Sequence, residues 1–138
     1  MPAKDVYHDA VKNALIKEGW IITADPYPIK YEEVKLFADL AGEKTIAASR
    51  EGQQIVIEIK SFLSRSPMRD LETALGQYLI YKALLSIEYP EKQLYLAIGE
   101  IIYDDFFQKV AIKFVLEKYQ LSLLVVNMNH QEIVKWIS

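Results

Sequence analysis

The chain contains no cysteine. That excludes disulfides and thiolate metal sites, and it suits a reducing cytoplasm, the location expected here. Histidine occurs only at His8 and His130, far apart and without ligand spacing, so a zinc site is not expected. Glycine and proline number 5 each, too few for long disordered or low-complexity segments. No apolar run is long enough to cross a bilayer, and Met1-Pro2-Ala3-Lys4-Asp5 lacks the apolar core of a signal peptide, so no membrane partner is expected. Neither sign of charge dominates: 16 Lys and Arg against 19 Asp and Glu leave a net charge of −3, which disfavours strong non-specific nucleic-acid binding but leaves room for a basic groove around an acidic site. What remains is 51% hydrophobic residues in 138, enough for one domain over 1–138 with a sizeable core.

One stretch organises that content. In Gln54-Ile55-Val56-Ile57-Glu58-Ile59-Lys60-Ser61-Phe62, the isoleucines Ile55, Ile57 and Ile59 alternate with Val56, Glu58 and Lys60. This is the period of a strand with one fully apolar face, and it puts Glu58 and Lys60 together on the other. Upstream, Val6, Ala10, Val11, Ala14 and Leu15 make the stripe of an amphipathic helix over 4–18, with Gly19 as its C-terminal cap. A short strand is expected over 20–23, an irregular connector at Asp25-Pro26-Tyr27-Pro28, and strands over 34–40 and 45–50. A turn at Glu51-Gly52-Gln53 leads into the central strand.

Downstream, 63–69 reads as a polar loop carrying Arg65 and Arg69. The spacing predicts a helix over 70–87 that buries Leu71, Ala74, Leu75, Tyr78 and Leu79. Lys82 falls on that side and has to snorkel or pair, while Gln77 and Tyr81 lie on its flank. An apolar strand over 93–98 belongs at the centre of the sheet. Phe107, Val110, Ala111, Phe114 and Val115, with Phe106 beside them, predict one helix over 103–119 with its aromatics in the core. A buried strand over 121–126, a turn over 127–130 and a last strand over 132–137 complete the chain, with Trp136 as core or interface anchor. Early strands followed by β-α-β give an α+β fold, a mixed β-sheet flanked by helices.

Four features of this layout can converge: Asp39 at a strand end, Glu58-x-Lys60 on the central strand, Gln77 and Tyr81 four apart on one helix, and Asp9 on the first helix as an additional acid. Metal-assisted phosphodiester hydrolysis uses such a set. Asp39 and Glu58 supply hard oxygen ligands for Mg²⁺ or Mn²⁺, and the carbonyl of Ile59 adds a third. A bound ion polarises phosphate and activates water. Lys60 would orient that water and stabilise developing charge, with Gln77 and Tyr81 assisting. Arg65 and Arg69 are placed to meet DNA phosphates.

Asp39, Glu58-Ile59-Lys60 and the helix Gln77-Tyr78-Leu79-Ile80-Tyr81 together resemble the PD-(D/E)xK nuclease superfamily, whose fold is restriction-endonuclease-like. Gln-x-x-x-Tyr resembles the extra motif of the RecB-type branch, and Ala38-Asp39 stands in place of Pro-Asp. A resemblance covering nearly the whole chain is to the XisH family, the fdxN element excision controlling factor. It rests on residues 4–15, on Val56-Ile57-Glu58-Ile59-Lys60-Ser61-Phe62, on Ala74-Leu75-Gly76-Gln77-Tyr78 and on Leu94-Tyr95-Leu96-Ala97. That family is associated with programmed excision of a DNA element in heterocyst-forming cyanobacteria, beside a recombinase and the factor XisI. The resemblance implies DNA as a partner, with an XisI-like protein or a recombinase as candidate protein partners. Double-strand cutting further implies a homodimer.

Three functional readings follow. The first is a metal-dependent DNA endonuclease-like protein acting in DNA element excision. The second is a non-catalytic accessory factor that binds DNA, a recombinase or XisI, a reading the acidic net charge favours. The third is an interaction domain in which Glu58 and Lys60 are an ordinary solvated pair, Asp39 accepts turn amides, Asp9 is an exposed helix residue and Tyr81 is a core-edge aromatic.

Overall fold

A computed structural model describes residues 6–36 and 44–138. Six strands form one mixed sheet: β1 (Ile21–Ala24), β4 (Lys44–Arg50), β5 (Gln53–Ile59), β6 (Lys92–Gly99), β7 (Leu123–Asn127) and β8 (Glu132–Ile137), in that spatial order. Between β1 and β4 in sequence, β2 (Ile29–Tyr31) and β3 (Val34–Leu36) form a separate antiparallel hairpin. The pairs β1–β4, β4–β5 and β7–β8 are antiparallel, whereas β6 is parallel to both β5 and β7.

Local sequence explains each kind of connection. Glu51-Gly52 joins β4 to β5 in two residues, with φ of 51° and 82°, the left-handed pair that matches strand twist in a tight hairpin. Parallel pairing needs a crossover. Helix α2 (Pro67–Glu88) supplies it between β5 and β6; α3 (Glu100–Asp104), a 3-10 turn (Phe106–Gln108) and α4 (Val110–Lys118) supply it between β6 and β7. The fold is therefore the expected α+β arrangement of a mixed sheet with flanking helices.

Strand alternation divides the core in two. Ile55, Ile57 and Ile59 face α1 (Val6–Lys17), packing with Val11, Ala14, Leu15, Tyr95, Leu124 and Val126. Val56, Leu94, Leu96 and Ile98 face the other way, against Leu71, Ala74, Tyr78, Tyr81 and Leu85 of α2 and against Phe107 and Ile112. β6 is buried on both faces, as a central parallel strand requires. α1 ends as its glycine predicts: Gly19 has φ +90°, its N–H donates to Ile16 O, and Trp20 N–H donates back to Leu15 O at 3.1 Å. Trp136 joins this layer, its ring centroid 5.7 Å from Trp20 and 4.9 Å from Tyr95.

Several expectations need correction. The helix over 103–119 is broken. Asp105 (ψ −84°) and Lys109 (ψ 139°) leave helical geometry, and the Gln108 amide caps the Tyr103 carbonyl at 2.9 Å. The break turns both Phe106 and Phe107 inward, with Phe107 edge-on to Phe62 at 5.2 Å, so packing outweighs propensity. Val110 and Phe114, assigned to that helix's buried stripe, are 86% and 65% exposed. On α2 the buried stripe is Leu71, Ala74, Tyr78, Tyr81 and Leu85; Leu79 and Lys82 are exposed, so the stripe is rotated toward Tyr81. α2 also begins earlier, because Ser66 caps the Arg69 amide and Pro67 suits the first turn, placing Arg69 on the helix. β5 ends at Ile59 because the chain bends away, with Phe62 at φ 54°. The strand β2 lies in a stretch for which no strand was expected.

Candidate active site

Glu58 is fully buried, the one acidic residue classed as buried among the described residues. It shares a face with Val56, beneath α2, and its strand neighbours are Thr45 on β4 and Leu96 on β6. An ordinary solvated Glu-x-Lys pair is therefore excluded. A carboxylate in such surroundings is held against a desolvation penalty of several kcal/mol. Its negative charge reaches Tyr78 on α2. Burial pushes the Tyr78 hydroxyl up, hydrogen bonding at Ser122 opposes this, and Glu58 adds to the rise.

Lys60 follows at the strand end, half-buried, its N–H donating to Ala97 O at 3.1 Å. Glu58, Tyr81 and the half-buried Gln77 thus belong to the same side of the sheet, with Tyr81 4% exposed. The Gln77 Oε1 is enclosed and has no hydrogen-bond partner among the described residues. Ile59 points its side chain to the α1 face. Because Lys60 N–H turns toward β6, alternation turns the Ile59 carbonyl toward β4. Arg65 is exposed in the loop leaving β5, and Arg69 is exposed on the first turn of α2. Asp39 lies outside the described residues. Among the described residues no group of three or more acidic or histidine side chains is arranged to hold a metal ion.

Asp9 belongs to a different cluster, on the α1 face. His8 is buried, and its Nε2 lies 2.7 Å from Asp25 Oδ1; since a carboxylate only accepts, the imidazole donates there. Lys12 Nζ holds Asp25 Oδ2 at 3.0 Å, and Asp9 Oδ1 stands 3.4 Å from His8 Nδ1. Burial pushes the Asp25 carboxyl up, but hydrogen bonds and charge from His8 and Lys12 outweigh it and leave it below its ordinary value. Sequence reading missed this cluster, because Asp25 looks like a loop residue and its partners stand more than a helical turn of separation away in sequence. The only local signal was a histidine inside a helical apolar stripe.

A cavity of about 450 Å³ opens where β5, β6 and β7 end, lined among others by Tyr7, Ser61, Phe62, Gly99, Glu100 and Asn127. It adjoins the strand end that carries Glu58 and Lys60, the usual place for a ligand in a parallel sheet. The family model described as XisH protein matches residues 1–134.

This chain belongs to the XisH family, that of the fdxN element excision controlling factor.

Two solved structures agree with that placement. An XisH family protein from Nostoc punctiforme is 40% identical, covering 97% of this chain and 100% of its own, with a TM-score of 0.90. A fdxN element excision controlling factor protein from Anabaena variabilis is also 40% identical, covering 97% and 99%, again with a TM-score of 0.90. No curated protein matches the chain. In this XisH-family chain, then, one buried carboxylate, one strand-end lysine and an enclosed amide oxygen share an end or a face of a sheet. No helix of the described residues is long and apolar enough to cross a membrane.

Proposed function

We propose that this XisH-family chain is a metal-dependent DNA endonuclease-like protein of the PD-(D/E)xK superfamily, with a restriction-endonuclease-like fold, acting in excision or rearrangement of a DNA element. The observation that carries the reading is the full burial of Glu58 beneath the helix that bears Gln77 and Tyr81. A hard carboxylate in a shielded position and an enclosed amide oxygen without a partner among the described residues fit a small hard cation, Mg²⁺ or Mn²⁺. Glu58 would hold it together with Asp39 and the Ile59 carbonyl; Asp39 stands five residues before Lys44, whose strand partner is Ile59. When bound, the ion supplies Lewis acidity toward phosphate and water.

The chain's own residues do the rest. Lys60 positions the attacking water and stabilises charge on the phosphate oxygens. Gln77 hydrogen-bonds water or phosphate, and Tyr81 fixes the helix that presents it. Arg65 and Arg69 meet the DNA backbone; Asp9, beside His8 on the α1 face, takes no part in this site. The test is a cleavage assay with Mn²⁺ on supercoiled, single-stranded and branched DNA, comparing wild type with Glu58→Ala. Metal-dependent cleavage lost in the variant is expected. Absence of cleavage in both, with no Mn²⁺ binding, overturns the reading.

The net charge of −3 favours a second reading, an accessory factor that binds an XisI-like protein or a recombinase and acts through it on DNA. It predicts a stable complex with such a partner and no turnover by the chain alone.

A further inference from the structure

α2 carries two apolar faces, and the fold covers one. Opposite the buried stripe run Thr73, Gly76, Ile80, Ala83 and Ile87, all exposed, Ile80 by 53% and Ile87 by 58%. Their spacings alternate three and four, the seam of a helix built to pack against another helix. Leu79, also exposed, widens the seam beside Ile80. Gly76 is telling. A glycine in mid-helix destabilises it relative to alanine, yet a Cβ there would meet nothing within 4 Å. Nothing among the described residues uses the missing side chain; a closely approaching second helix would.

We propose that this seam joins two copies of the chain, with their α2 helices antiparallel across a twofold axis at Ile80. The order of side chains selects that occupant. About this axis Ile80 meets Ile80 and Leu79 meets Leu79. Ile87 of each copy lies against the small residues Thr73 and Gly76 of the other, so bulk fills gap at both ends. Charge does not oppose it: no acid on the seam faces another, since Glu72 lies opposite Ser86. A self-complementary patch of this kind is what a twofold contact requires. A helix about 33 Å long and roughly 10 Å across buries on the order of 700 Å² over both copies, below the ~1,200 Å² of a standard stable interface. The exposed Met68 flanks it near its N-terminal end. The dimer is therefore weak and concentration-dependent. It rests on the surface of α2 alone and does not depend on catalysis.

The chain has no cysteine, so introduced thiols report unambiguously. Under mild oxidation of the full chain, Ile80→Cys forms a covalent dimer, since disulfides need Cα atoms within about 7 Å. Ile87→Cys alone does not, but mixed with Thr73→Cys it gives the heterodimer; Glu117→Cys on α4 serves as the background. Sedimentation shows wild type moving toward dimer with concentration, and Ile80→Lys, which retains its circular dichroism and melting transition, raises the dissociation constant about tenfold or more. Self-cross-linking of Ile87→Cys at the level of Ile80→Cys means parallel helices and overturns the proposal. So does a monomer at every attainable concentration with no cross-link above background, which would leave the seam to a different protein.

Discussion

Replacing Tyr78 with phenylalanine removes one oxygen and, on the geometry, two contacts. The hydroxyl accepts from Ser122 N–H at 3.0 Å and donates to Leu94 O at 3.3 Å, pinning α2 across the entry to β6 and β7. Tyr78 is 1% exposed. The ring stays, so the packing loss is small. Orphaning the Ser122 amide costs about 1–3 kcal/mol, and losing the weaker bond to Leu94 adds about 0.5–1 kcal/mol. The expected destabilisation is about 2–3 kcal/mol, or roughly 5–10 °C in Tm for a chain of this size. Urea unfolding reads it directly, as a lower midpoint at unchanged slope. The raised pKa adds a signature. A group held protonated in the fold weakens stability as pH climbs past its ordinary value near 10, so wild type loses stability there and Tyr78→Phe loses less. A variant within about 0.5 kcal/mol of wild type would mean that water replaces the hydroxyl and that the pin carries no weight.

Other outcomes follow from the same coordinates. Asp25 has a depressed pKa, so the stability it confers is present above its ordinary value near 4 and is lost as pH falls through the lower folded value. Asp25→Asn should flatten the acid limb of a stability–pH curve and, by weakening the hold on buried His8, cost about 1–3 kcal/mol at neutral pH. Glu51→Asn, at φ 51° before Gly52, should raise stability by roughly 0.5–1 kcal/mol in thermal melts, because Asn tolerates the left-handed region better. If Glu58 holds Mn²⁺, saturating ion at a hundred times its dissociation constant should stabilise wild type by about 2.7 kcal/mol, and Glu58→Gln by almost nothing; equal shifts in both would remove Glu58 from the metal site.

The legible parts of the chain were those where a short period meets one kind of partner. Ile55, Ile57 and Ile59 announced their strand, and Gly19 announced the end of α1. The 103–119 stretch misled, because Phe107, Val110 and Phe114 keep helical spacing across a break that only tertiary packing creates. Tyr81 was read as flank because Leu75 and Leu79 extended the apolar stripe of α2 to its other side. That ambiguity has a physical source: the helix is apolar on two sides, and a single chain shows only one of them its core. The Glu58-x-Lys60 pattern was visible, but not its depth, since burial depends on the helix that arrives afterwards. His8 and Asp25 were not legible as a pair, because nothing local in either segment names the other.

The depth of Glu58 bears on what kind of site this is. β5 reads Ile-Val-Ile-Glu-Ile across its middle, apolar toward both layers except at one position. A valine or leucine at 58 would continue the face that Val56 begins and would avoid desolvating a charge. The strand therefore breaks its own pattern on the face it shares with α2, four residues before the chain bends away through a left-handed Phe62. Departures from local consistency are expected at functional or strained positions, and the proposed site requires one at Glu58. On the opposite face, His8 Nε2 and Lys12 both bind the Asp25 carboxylate, a polar group that fits structural support for the α1 layer. The two faces thus differ in charge: the α1 side sets Asp25 against His8 and Lys12, although His8 Nδ1 and Trp20 Nε1 have no hydrogen-bond partner among the described residues, while the α2 side buries the carboxylate of Glu58.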